Sequence, residues 1–192
     1  AVGEDVTERR RLDDELHRQA RHDPLTGIPN RRHLLEQIQT LSATVDGDDR
    51  VGLCFVDLDG FKQINDRYGH GIGDQVLRAV ATLLHDGLTG EDCTLARIGG
   101  DEFVALLAPP VDDLRVAAVV DRMLSALACP ITVGDHSLWV SASIGAITAT
   151  ASNTDAAALL EAADRELYHA KTRSKDRWVL RILDTGPGEP PS

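Results

Sequence analysis

Three carboxylates stand where chemistry would need them. Asp57 closes an apolar run, Val51 to Val56, and Asp101 and Glu102 follow a glycine pair, Gly99-Gly100, between two further apolar stretches. Carboxylates gathered at one edge of a sheet repel one another and are relieved by a shared cation, and hard oxygen donors select Mg²⁺ or Mn²⁺. Any one of these acids alone is what a solvated loop carries. The strand-end acid together with a glycine-flanked acidic turn makes metal binding the stronger reading. Gly99 and Gly100 lack a Cβ, so a phosphate can approach the main chain there and meet its N–H groups.

The elements that must position these groups can be read from periodicity. Val51 to Val56 reads as a buried strand, Cys93 to Ile98 and Glu102 to Leu107 as two strands of a hairpin, and Leu138 to Ile147 and Trp178 to Leu183 as two more. Helices are expected from Arg31 to about Leu41, from Phe61 to Arg67, around Val76 to Leu84, from Val116 to Leu127 and from Asp155 to Lys171. Asp74 is expected in the first turn of the third of these, where the helix dipole also favours an acid. The fold class is therefore α/β (α+β), a mixed sheet of about five strands with helices on both faces.

Upstream, residues 7–22 are dense in charge, with Leu12 and Leu16 on one face. They read as a solvated linker helix, or as the end of a coiled coil with a seam of Val2, Arg9, Leu12, Leu16 and Gln19. Asp23-Pro24 stops that helix. The expected organisation is a linker helix over 1–22, one domain over 23–183, and a disordered tail rich in glycine and proline over 184–192.

Composition narrows the partners. With 192 residues, 42% hydrophobic and 4% aromatic, the chain supports one core built from aliphatic residues. A net charge of −11 argues against nucleic acid or an anionic membrane surface, so phosphates need local cations. Cys54, Cys93 and Cys129 lack metal or disulfide spacing and are expected as buried free thiols. No apolar run is long enough to cross a bilayer and no signal sequence is visible, so a cytoplasmic location is expected. The start Ala1-Val2-Gly3 hints at a piece of a longer protein.

Four segments together resemble the GGDEF domains, the diguanylate cyclases. They are Asp23-Pro24-Leu25-Thr26-Gly27-Ile28-Pro29-Asn30-Arg31-Arg32, the run Asp57-Leu58-Asp59-Gly60-Phe61-Lys62-Gln63-Ile64-Asn65-Asp66-Arg67-Tyr68-Gly69-His70, Arg97 to Phe103, and Ala163 to Lys171. The likeness runs from Asp23 to about Arg177. It implies a fold like the palm of nucleotide cyclases and polymerases, and condensation of two GTP into cyclic di-GMP with loss of two pyrophosphates across an antiparallel homodimer. A catalytically silent GTP-binding regulatory module is the alternative.

By this resemblance Asp57, Asp101 and Glu102 are the catalytic acids. Together with the Leu58 carbonyl they are also the metal donors. Asn65 and Asp74 match the guanine-reading positions: a carboxylate accepts from N1–H and N2–H, and adenine would leave it unpaired. Lys62, Lys171 and Lys175 are the phosphate cations, with Phe61 as pocket wall and Gly99 and Gly100 beside the phosphates. An upstream sensory domain is expected. The family's Arg-x-x-Asp product-inhibition motif is replaced by Gly90-Glu91-Asp92-Cys93, so no tight inhibitory site is expected there.

Overall fold

The stretch Arg50–Asp59 forms β1, and it is apolar at successive positions because both of its faces are covered. Val51, Leu53 and Phe55 join a cluster with Leu34, Ile38, Leu159 and Leu160, while Cys54, Val56 and Leu58 pack with Val76, Val80, Val116 and Val120. Each such Leu or Val, fully withdrawn from water, contributes about 1.5–3 kcal/mol before entropy is subtracted. By alternation Asp57 belongs to the first face.

The computed structural model describes residues 2–45, 48–152, 155–172 and 178–183. In chain order the elements are α1 (Val2–Arg21), α2 (Arg31–Thr44), β1, α3 (Phe61–Tyr68), α4 (His70–Gly87), β2 (Cys93–Gly99), β3 (Glu102–Leu107) and α5 (Asp113–Ala126). There follow β4 (Ile131–Val133), β5 (His136–Leu138), β6 (Ser141–Thr150), α6 (Ala156–Thr172) and β7 (Trp178–Leu183). The main sheet has the order β2-β3-β1-β6-β7, antiparallel except for the parallel pair β6–β7. α2 and α6 cover one face, α4 and α5 the other.

Side-chain caps set two helix starts. Asn30 accepts from His33 N at the head of α2, and Asp112 accepts from Arg115 N at the head of α5. α6 lies unusually close to the sheet: a Cβ at Gly145 of β6 would overlap the main chain of α6, 2.6 Å from Leu167 Cα. Only a residue without a side chain permits that approach.

Several expectations need correction. α4 begins at His70, so Asp74 stands just past its first turn and the dipole accounts for it less well. The strand expected from Leu138 to Ile147 is β6, running from Ser141 to Thr150, with Leu138 in a separate hairpin, β4–β5, too short to show a period. Of the cysteines, Cys54 is buried, Cys93 half-buried and Cys129 exposed. The expected tail, 184–192, lies outside the described residues.

Candidate active site

The register of β1 against β3 sets Asp57 directly opposite Glu102. Directly opposed residues on antiparallel strands share a face, so two carboxylates stand side by side on the α6 side of the sheet. Asp101 lies next to them, its carbonyl accepting from Leu58 N at 3.3 Å. A register shift between Arg97 and Gly99 bends β2 into the turn, where Gly100 takes a positive φ of 47°. Neither Gly99 nor Gly100 has an atom within 4 Å of where a Cβ would stand, so the outer side of the turn is open.

α6, pressed onto Gly145, brings Lys171 Nζ to 2.7 Å from Asp57 Oδ1. Burial raises the pKa of Asp57; Lys171 opposes this, and Asp101 and Asp59 add to it. Burial likewise raises Glu102, helped by Asp57, Asp164 and Asp101 and opposed by Lys171. Glu102 and Asp164 both line a hollow of about 400 Å³ between the sheet and α6, with Arg31, Phe55, Ile98 and Leu160. A larger hollow of about 460 Å³ lies between α2 and β2. Within it Arg21 pairs with Glu36 and Gln37 with Thr94, and none of Asp57, Asp101 and Glu102 lines it.

Among the described residues, no three acidic, histidine or cysteine side chains are gathered closely enough to cage a metal. Magnesium, however, is commonly held by one or two carboxylates and completed by substrate phosphates and water. Asp57 and Glu102 fit that pattern: both are oxygen donors, Asp57 raises the pKa of Glu102, and an ammonium group already stands as counter-cation beside Asp57.

The turn is fastened from outside the sheet. Arg97 donates from Nε and Nη2 to the Gly100 carbonyl at 3.0 and 2.8 Å, and from Nη1 to both oxygens of Asp23 at 2.9 Å. Asp23 also accepts from the amide and hydroxyl of Thr26, at 2.9 and 2.7 Å. A second clamp holds Asp59, which accepts from Ser141 and Ser143 of β6 at 3.0 and 2.8 Å.

With this geometry in view, comparison with known proteins is decisive: residues 20–177 match the family model described as "Diguanylate cyclase, GGDEF domain". The chain belongs to the GGDEF family. It is 40% identical over 168 residues to diguanylate cyclase DgcP of Pseudomonas aeruginosa, covering 85% of this chain and 24% of that one. It is 37% identical over 178 residues to the cyclic di-GMP phosphodiesterase PdeR of Escherichia coli, covering 93% and 26%. The crystal structure of diguanylate cyclase SiaD with its activator SiaC, from P. aeruginosa, superposes with a TM-score of 0.77 at 30% identity, covering 95% and 69%. The chain thus spans about a quarter of the length of these two curated relatives.

In this GGDEF domain the expected base-reading pair sits on the opposite side of the strand ends, with Asn65 half-buried on α3 and Asp74 exposed on α4. Phe61 is buried at the start of α3, and Lys62 next to it is exposed. Lys171 is at Asp57 rather than free in the phosphate space. Lys175 lies outside the described residues. The motif spacing gave no sign of the two clamps or of Asp164. Asp23-Pro24-Leu25-Thr26 signals a local turn bonded through Asp23, but Arg97 lies 74 positions away.

The Asp23 clamp has a measurable pH signature. Burial raises the Asp23 pKa, but the Thr26 hydrogen bonds and the Arg97 guanidinium outweigh it, and the net shift is downward. A carboxylate lowered on folding stabilises the fold above its unfolded pKa of about 3.9, and that stability is lost as pH falls through the lower folded value. Asp23→Asn is therefore expected to lose about 2 kcal/mol at pH 7, with the gap from the parent narrowing below about pH 4. Urea melts at the two pH values check it; an equal gap at both would count against the clamp.

Proposed function

We propose that the domain condenses two GTP into cyclic di-GMP, each subunit of an antiparallel pair holding one nucleotide. The observation that carries this reading is the pairing of Asp57 with Glu102 across the two strands, beside an open Gly-Gly turn and a lysine. Family membership supports it.

In this reading Asn65 and Asp74 hold the guanine, and the phosphates pass over the strand ends to Lys62, Lys171 and Lys175. A divalent cation, Mg²⁺ or Mn²⁺, held by Asp57 and Glu102 with Asp101 and the Leu58 carbonyl as further donors, would acidify the attacking 3′-hydroxyl and neutralise the departing pyrophosphate. Glu102, made more basic by burial and by Asp57, is suited to draw the hydroxyl proton. With a cation held at Asp57, Lys171, now 2.7 Å from Asp57, would be free to pair with a phosphate oxygen instead. Positioning does the rest, because two half-sites must face each other before either bond forms. α1 is assigned the part of stabilising that pairing and relaying a signal from an upstream sensory region.

Incubation with GTP and Mg²⁺ over a range of protein concentrations tests the reading. Cyclic di-GMP is expected, at a rate per subunit that rises with concentration; no product from a forced dimer would refute it. Similarity to a relative named as a phosphodiesterase keeps one other reading in play, a silent GTP-binding regulatory module, which would bind GTP without turnover. Product feedback is expected to be weak at residues 90–93, since Glu91 there is paired with Arg115 and Arg122, at 3.5 and 2.7 Å. Calorimetric titration with cyclic di-GMP checks this; tight binding abolished by changing that stretch would contradict it.

A further inference from the structure

Gly73 follows the first turn's lead-in of α4, immediately before Asp74, and is buried. Its φ is not positive, so the backbone makes no demand for glycine there. Helix interiors disfavour glycine relative to alanine. What occupies the space is Asn65 of α3: a Cβ at position 73 would overlap Asn65 Oδ1, lie 2.9 Å from its Cγ, and lie 3.3 Å from Phe61 Cζ. The Asn65 main chain is fixed as well, its carbonyl accepting from Gly69 N at 2.8 Å, while Gly73 N donates to the Gly69 carbonyl at 3.2 Å. The two helices are thus joined across Gly69, and the end of the Asn65 amide rests on α4 at Gly73, the residue before Asp74.

We propose that Gly73 is a specificity-determining residue for the nucleotide base. By carrying no side chain it seats the Asn65 amide against α4, so that amide and Asp74 carboxylate present one continuous edge to a purine. The identity of that base as guanine rests on the cyclase reading. Any side chain at 73 meets the amide end, which must leave its seat on α4, and the base then loses one of its two polar partners. Gly73 acts only through Asn65. Its effect must therefore vanish when Asn65 is already truncated.

The test is a double-mutant cycle read by calorimetric binding of non-hydrolysable GTP and ATP analogues, independent of turnover. Gly73→Ala is expected to weaken the GTP analogue about tenfold, to leave the ATP analogue unchanged, and to retain a cooperative melt. Placed on Asn65→Ala, it is expected to change GTP-analogue binding less than about twofold. Wild-type affinity in Gly73→Ala, or a similar loss in both backgrounds, overturns the inference. Should Gly73→Ala alone fail to fold, the comparison of Asn65→Ala with Asn65→Ala/Gly73→Ala decides. Recovered folding with equal affinity supports the contact, and an unfolded or weaker double variant rejects it. A wild type that binds no guanine nucleotide would sink the cyclase reading itself. A wild type that binds it, with no effect at position 73, sinks only this one.

Discussion

Glu102→Ala is expected to reduce cyclic di-GMP formation about 10³-fold or more, to background, while making the domain more stable. The two effects have one cause. Glu102 stands opposite Asp57, burial raises the pKa of both, and Asp57 raises that of Glu102 further. Like charges facing each other across a strand pair destabilise a sheet by roughly 0.2–1 kcal/mol. Truncation removes that repulsion and leaves Asp57 with Lys171, so the melting temperature should rise by about 1–3 °C. Under the proposed cyclase reading, the same truncation removes a carboxylate that would hold the cation and the group that would take the proton. Product assay and thermal melt on one preparation check the pair. A variant that keeps about a tenth of its turnover, or melts well below the parent, would show that Glu102 is structural rather than functional.

Gly145→Ala should have the largest effect on folding. The added methyl would meet main-chain atoms of α6, with Leu167 Cα at 2.6 Å, and main chain cannot turn aside as the tip of a side chain does. α6 must lift from the sheet, opening the cluster that holds Leu159, Leu160 and Leu167. Overpacking of this kind costs about 3 kcal/mol, a large share of the roughly 5–15 kcal/mol that keeps a domain folded. Any protein that does fold should also lose the Lys171–Asp57 ion pair, because Lys171 moves with the helix. A urea midpoint matching that of the parent would show that α6 is not held by this approach.

The strands and helices were legible wherever a residue pattern repeats. β1 and β3 lie where they are expected because burial on both sides leaves continuous apolar runs, and α2, α5 and α6 begin and end within a few residues of the expected points. The β4–β5 hairpin was illegible because three-residue strands carry no period. At the site, Asp57, Asp101 and Glu102 could be nominated from their places at strand ends, since a pleated sheet converts strand ends into neighbours. The partner of each polar group could not. Lys171 is expected as a phosphate cation, and its place at Asp57 depends on Gly145, a residue that looks like an ordinary strand glycine until α6 is laid on it. Arg97 reads as a strand residue that could equally pair with a surface acid or reach a partner subunit, and only the folded chain supplies Asp23.

The fastening of α1 has a mechanical consequence. The carbonyl of Arg21, the last residue of α1, accepts from Asn30 N, and the Asn30 amide donates to the carbonyls of Ala20 and His22. One residue earlier, the Pro29 carbonyl accepts from Arg97 N, and the Arg97 guanidinium grips Gly100. The route from helix to turn runs through polar bonds alone, each directional and stretchable by only a few tenths of an ångström. An apolar interface would absorb a small rotation by sliding; this route acts as a stiff linkage. A helix of 20 residues is a lever about 30 Å long, so a modest sideways push at its far end arrives at Gly100 as a small, forceful displacement one residue from the acids.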